Sequence, residues 1–166
     1  KLDDQGNPLK WKMMNSMFFD ISVFTDDAIY LLDKPQSEYF NSINEESAIV
    51  AKFDYDFNLL WLKKYTAENF PYLSANITAS PNGGLYLSCV TSGVFPVILA
   101  ELDADGNILN QKGYAHYFPR TKALMDGSLV IASRYSVDSV GHPGQIPVIS
   151  KTESLGNIAG CTTLPT

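Results

Sequence analysis

Only two cysteines, Cys89 and Cys161, and two histidines, His116 and His142, occur in the 166 residues. Two cysteines cannot make a disulfide scaffold and do not fix a redox compartment. The spacing 89, 116, 142, 161 contains no close ligand pair of the kind structural zinc sites use, so no metal residues are assigned. Charge is also scarce, at 18% of residues, and it is acidic: 12 Lys and Arg stand against 18 Asp and Glu, for a net charge of −6. Such a chain lacks the basic footprint that binds a phosphate backbone, so nucleic acid is not expected as a partner. No apolar run approaches the ~20 residues of a membrane helix, so no membrane insertion is expected. No segment sustains the apolar i, i+3, i+4 spacing of an amphipathic helix. Nucleophile elbow, phosphate loop and dinucleotide fingerprint are all missing, and no catalytic or cofactor-binding residues are assigned. There is no initiator Met and no signal peptide. A chain opening on Lys1 is expected to be trimmed or excised from something longer.

Aromatic residues, by contrast, reach 12%, and hydrophobic residues 45%. With frequent Val, Ile, Thr and Tyr, this favours a folded chain rich in β-structure. The main signal is a repeat. LDDQGN (2–7), FDYDFN (53–58), LDADGN (102–107) and TESLGN (152–157) follow one another with Gly6, Phe57, Gly106 and Gly156 in the same slot, 51, 49 and 50 residues apart. The second slot is always acidic (Asp3, Asp54, Asp103, Glu153) and the last is always Asn (Asn7, Asn58, Asn107, Asn157). A fixed period of this length marks a repeat architecture.

Apolar segments precede the last three turns: SAIVAKF (47–53), PVILAEL (96–102) and IPVISKT (146–152). NLLWLKKY, NILNQKGY and NIAGC follow them. Between lie DISVFTDDAIYLLD (20–33), ANITASPNGGLYLSCV (75–90) and TKALMDGSLVIASRY (121–135), each divided by turn residues into a hairpin. One period therefore predicts four antiparallel strands, the unit of a β-propeller blade. The expected fold is all-β, with about three blades over 17–66, 72–114 and 116–161, after a partial hairpin at 1–13. A blade has two apolar faces and must stack on neighbours to bury them. Three blades would leave two such faces uncovered, so the partners expected are further blades of the same polypeptide or partner chains.

The pattern Lys-Leu-Asp-x-x-Gly-Asn-x-x-Trp-x-Lys, with Asp-Gly-Gly-type inner hairpins, resembles propeller-like repeats of large secreted bacterial surface proteins, common in Bacteroidota. The matching pieces are Lys1-Leu2-Asp3, Gly6-Asn7 and Trp11-Lys12; Lys52-Phe53-Asp54, Asn58, Trp61 and Lys63-Lys64; Leu102-Asp103, Gly106-Asn107 and Lys112; and Lys151, Gly156-Asn157. Pro81-Asn82-Gly83-Gly84 and Met125-Asp126-Gly127 match as inner hairpins. The chain departs from the pattern at Phe57, at Asn110 where Trp is usual, and at Asp26-Asp27-Ala28. The resemblance covers nearly the whole chain. It implies a secreted or cell-surface location and does not imply one activity.

LDADGN also looks like the start of a calcium loop. The third slot of the four copies, however, reads Gln5, Asp56, Asp105 and Leu155. Leu cannot ligate, and no copy has the closing carboxylate such a loop needs. A turn explains the same residues: the acid accepts backbone N–H bonds, and Gly or Asn takes the left-handed conformation. At Phe57 that conformation is unfavourable, so Asn58 is expected to carry it, or the loop to be reshaped. Trp11, Trp61, Tyr65, Phe70, Tyr72, Tyr114, Tyr117 and Phe118 lie where outer strands end; packing between blades explains their repetition better than a sugar-binding platform. His142 is expected in a Gly/Pro loop (140–144), Cys89 as a small buried thiol, and a Cys89–Cys161 disulfide stays open for an exported chain. Asn76-Ile77-Thr78 fits a glycosylation sequon inside a predicted strand.

The expected function is thus a non-catalytic secreted or surface segment, a scaffold, adhesin or binding module, with a glycan as a candidate ligand. The alternative is part of a propeller enzyme acting on extracellular glycans, a hydrolase or lyase. Only Asp20, Asp26, Asp27, Arg120 and Asp126 stand near the inner strand ends where such chemistry would be placed, and they share no motif.

Overall fold

In the computed structural model, residues 3–9, 19–33, 47–66, 72–91, 97–114, 117–139 and 142–152 are described. Among them there is no helix, and therefore none long and apolar enough to cross a membrane. Eleven strands form three antiparallel sheets. Sheet I is the meander β1 (Phe19–Phe24), β2 (Ile29–Asp33), β3 (Ala48–Phe53) and β4 (Leu59–Tyr65). Sheet II repeats it with β5 (Tyr72–Ala79), β6 (Leu85–Thr91), β7 (Val97–Leu102) and β8 (Ile108–Tyr114). Sheet III holds β9 (Tyr117–Ala123), β10 (Leu129–Ser139) and β11 (His142–Lys151). The fourth strand expected after Lys151, like Trp11, His116 and Cys161, lies outside the described residues.

The sheets stack in chain order, because side chains alternate across each strand and both faces are apolar. One face of sheet I, carrying Tyr30, Leu32, Val50 and Tyr65, packs against Ile77, Leu85, Leu87, Cys89, Ala100 and Leu102 of sheet II. The other face of sheet II, with Tyr86, Val90, Val97, Leu99 and Tyr114, packs against Leu129 and Ile131 of sheet III. The face of a sheet on the side of lower residue numbers in the stack is here its trailing face and the opposite one its leading face; described sheets cover the leading faces of sheets I and II. All six residues of β7 (VILAEL) are buried, as expected of a strand covered on both sides. The first strands also adjoin: β1 touches β5, and β5 touches β9. Here a polar seam joins sheets II and III. The Ser88 and Thr121 hydroxyls are 3.4 Å apart, and the Ala123 N–H donates to Thr78 Oγ1 at 3.4 Å. The sequon residue Asn76 sits in this seam, its amide donating to the Thr121 carbonyl at 3.4 Å.

Two local expectations are corrected. Phe57 itself adopts the left-handed backbone, at φ 61°, and neither passes it to Asn58 nor reshapes the loop. Its ring packs on Ile29, Ala51 and Phe53, a contact that offsets the strain of a bulky residue at positive φ. His142, Pro143 and Gly144 are not in a loop: β10 and β11 pair continuously from Val130↔Lys151 to Ser139↔His142, while residues 140 and 141 lie outside the described ones. Pro143 and Pro147 are four residues apart and so share one phase of the ladder, which lets both missing N–H groups fall on the side not bonded to β10.

Candidate functional site

The most built-up feature outside the sheet cores is the turn between β7 and β8 and what sits on it. Asp103 N–H donates to the Asn107 carbonyl at 2.9 Å, and Gly106 N–H to the Asp103 carbonyl at 3.0 Å. Asp103 Oδ1 accepts from the N–H groups of Asp105 (2.9 Å) and Asn107 (2.7 Å), while Oδ2 accepts from the Asn107 amide (2.9 Å). These donors hold the Asp103 carboxyl below its ordinary pKa, the bonds from Asn107 contributing most. Asp3 and Asp54 organise turns 3–7 and 54–58 with the same set of bonds. The stretch that resembles a calcium loop is therefore a hairpin turn in all three described copies, with its acid committed to backbone and Asn donors. Among the described residues no group of three or more His, Cys, Asp or Glu could hold a metal ion.

Turn 103–107 is more than a connection. Sheet I grips it with four side chains of its leading face. Trp61 Nε1 and Lys52 Nζ both donate to the Ala104 carbonyl at 3.1 Å. Tyr65 Oη donates to the Gly106 carbonyl at 2.8 Å, and Lys63 Nζ to Asn107 Oδ1 at 2.7 Å. Strand register assembles the set: Tyr30 lies opposite Lys52, and Lys52 opposite Trp61, so the three form one row across β2, β3 and β4. The Tyr30 and Trp61 rings are 5.9 Å apart, with the Lys52 ammonium 5.3 Å from the Tyr30 ring centre. Burial works against the charge on Lys52, but the Tyr30 oxygen and the Asp27 carboxylate, 3.6 Å away, outweigh it and raise its pKa. Burial, with help from Asp103, pushes the Tyr65 phenol up to about 12.

Gly106 is required twice in this latch. Its φ is +75°, and a Cβ there would meet Trp61 Cη2 and Tyr65 Oη at 2.9 Å. Gly6, at φ +84°, has nothing within 4 Å of that position among the described residues.

The sequence candidates sort accordingly. Trp61 and Tyr65 pack between sheets, and Tyr114 is buried in the second core. Cys89 is buried in the first core, beside a gap of about 210 Å³ lined by Tyr65, Leu87, Ile98, Ala100 and Ile108. Asp27 and Asp126 have a common role that motif reading missed: each pairs with the Lys two positions before the acidic slot of the repeat, Lys52 (before Asp54) at 3.6 Å and Lys151 (before Glu153) at 3.1 Å. Asp126 also accepts from the Ser128 hydroxyl and N–H, and these bonds, with Lys151, bring its pKa down to about 2. Arg120 is exposed on sheet III, and nothing brings it to Asp26 or Asp27. Asp20 lies in β1. Lys52 and Tyr30 were not legible as contact residues, although Lys52 was visible as part of the repeat. No protein-family model matches the chain, and no curated protein matches its sequence.

Proposed function

We propose that this chain is a stacking segment of a β-propeller-type repeat protein, secreted or held at the cell surface, and that it serves as a scaffold, adhesin or binding module. Its partners are further sheets of the same repeat, in the same polypeptide or in partner chains. One observation carries this reading: the leading faces of sheets I and II are covered by the trailing faces of the sheets that follow them, and the first of these junctions is fastened by the repeat turn of the second sheet. Side chains that a catalytic site would need to converge are used for fastening instead, Asp27 and Asp126 on lysines and Tyr65 on a carbonyl. The secreted or surface setting rests on the resemblance of the repeats to those of large secreted bacterial proteins.

The test is to incubate the purified chain with a panel of extracellular polysaccharides and measure both retention and release of reducing or unsaturated ends. Retention without release, or neither, is expected. Release that disappears in Asp126→Asn or Arg120→Ala would overturn the non-catalytic reading in favour of a glycan hydrolase or lyase.

A further inference from the structure

The first junction has two halves; turn 3–7 repeats the receiving half, and the leading face of sheet III repeats the described part of the gripping half, with Lys151 in the place of Lys52. The receiving half is a turn. Turn 3–7 reproduces turn 103–107 bond for bond, yet among the described residues nothing fills the space over Gly6 that Trp61 and Tyr65 fill over Gly106. Residues 4–9 are exposed. The gripping half is a leading face. On sheet III it carries Arg120, Lys122, Val130, Ala132, Ile149 and Lys151, placed there by the pairings Val130↔Lys151, Val130↔Lys122, Ala132↔Ile149 and Ala132↔Arg120.

Positions that match between sheets show what this face lacks. Ile149 stands where sheet I has Val50 and sheet II has Leu99. Val50 is 0% exposed and Leu99 5%, but Ile149 is 77% exposed. Lys151 matches Lys52 and is tethered by Asp126 as Lys52 is by Asp27. The Lys52 side chain is 9% exposed beneath the turn of sheet II, while that of Lys151 is 58% exposed. Charge fits as well: the exposed face is basic, and turn 3–7 carries Asp3 and Asp4.

We infer that the leading face of sheet III, centred on Ile149 and Lys151, docks turn 3–7 of a second copy of this chain, with Lys151 reaching the carbonyl of Asp4 as Lys52 reaches that of Ala104. This rests on the stacking reading above and adds the occupant and the orientation. The contact is head-to-tail, so in a pair one molecule keeps a free turn 3–7 and the other a free leading face, and further copies can add at either end.

Light scattering after size exclusion, run on the whole chain over a wide concentration range, tests it. The mass should rise above the 18.3 kDa monomer with concentration and fall back in high salt. Lys151→Glu and Asp4→Lys, both at exposed sites, should each weaken association about tenfold or more. Mixed together, the two variants should associate again, because each reversed charge then meets its opposite. A wild-type chain that stays monomeric while its circular dichroism shows intact β-sheet would overturn the docking and leave the stacking reading standing. Association untouched by either variant would overturn the assignment of the two surfaces. Loss of β-sheet cooperativity in the wild-type chain would instead count against both.

Discussion

Gly6, Phe57 and Gly106 share a left-handed backbone and differ in what stands over them. That difference gives a graded set of substitutions. Gly6→Ala should cost about 1 kcal/mol, the backbone term alone. Gly106→Ala should cost more, about 2–3 kcal/mol, because its Cβ also displaces Trp61 and Tyr65. Gly106→Val should cost more again. Urea denaturation of the three variants measures the order, and equal costs at Gly6 and Gly106 would mean that nothing covers Gly106. Tyr65→Phe should destabilise by about 1–2 kcal/mol by removing the donor to the Gly106 carbonyl. The pH dependence of this site follows from its direction of shift. Tyr65 has its folded pKa raised to about 12, above the ordinary 10.0, so its contribution is complete below pH 10 and is lost as pH rises through about 12. The carboxyls of Asp103 and Asp126 are lowered, Asp126 to about 2. Their contribution is present above the ordinary carboxylate pKa and is lost as pH falls through the lowered one. A thermal melt series should therefore show an alkaline loss that Tyr65→Phe removes, and an acid loss that Asp126→Asn reduces.

Among the elements, β4 and β8 occupy the same place in consecutive sheets but do different work. Trp61 in β4 bonds the next sheet, whereas Asn110, its counterpart in β8, lines a shallow recess with Tyr86, Leu99, Glu101 and Lys112 among the described residues. Trp61→Ala should cost about 2–4 kcal/mol, while Asn110→Ala should stay within about 0.5 kcal/mol. Chemical denaturation of the two variants tests this contrast, and a larger loss at Asn110 would contradict it. The strands themselves were legible in the sequence, because alternation, β-branched residues and Asp-x-x-Gly-Asn turns all act within a few residues. Phe57 was not, since its strain is met by a cluster that includes Ile29, which is distant in sequence, as well as Ala51 and Phe53. The hairpin around His142 was missed for a similar reason: Gly and Pro signal a loop locally, and only the pairing with β10 fixes them as strand.

At the scale of the molecule, order along the chain becomes order in the stack, each leading face on the next trailing face. The need for such stacking followed from strands that are apolar on both sides, but its fastening did not. The repeat displays Trp61-x-Lys63 and the turn as parts of separate units, and nothing in one period says that the aromatic of one grips the turn of the next. The third sheet also differs from the expected apolar end, since its leading face mixes Ile149 and Ala132 with Arg120, Lys122 and Lys151. Stacking through this latch is most directly tested by a double-mutant cycle between Trp61→Ala and Gly106→Ala, 45 residues apart and on different sheets. If the Trp61 ring lies over Gly106, truncating it makes room for the new Cβ, and the two losses should fall short of additive by about 1 kcal/mol or more. Strict additivity would contradict contact between sheet I and the turn of sheet II.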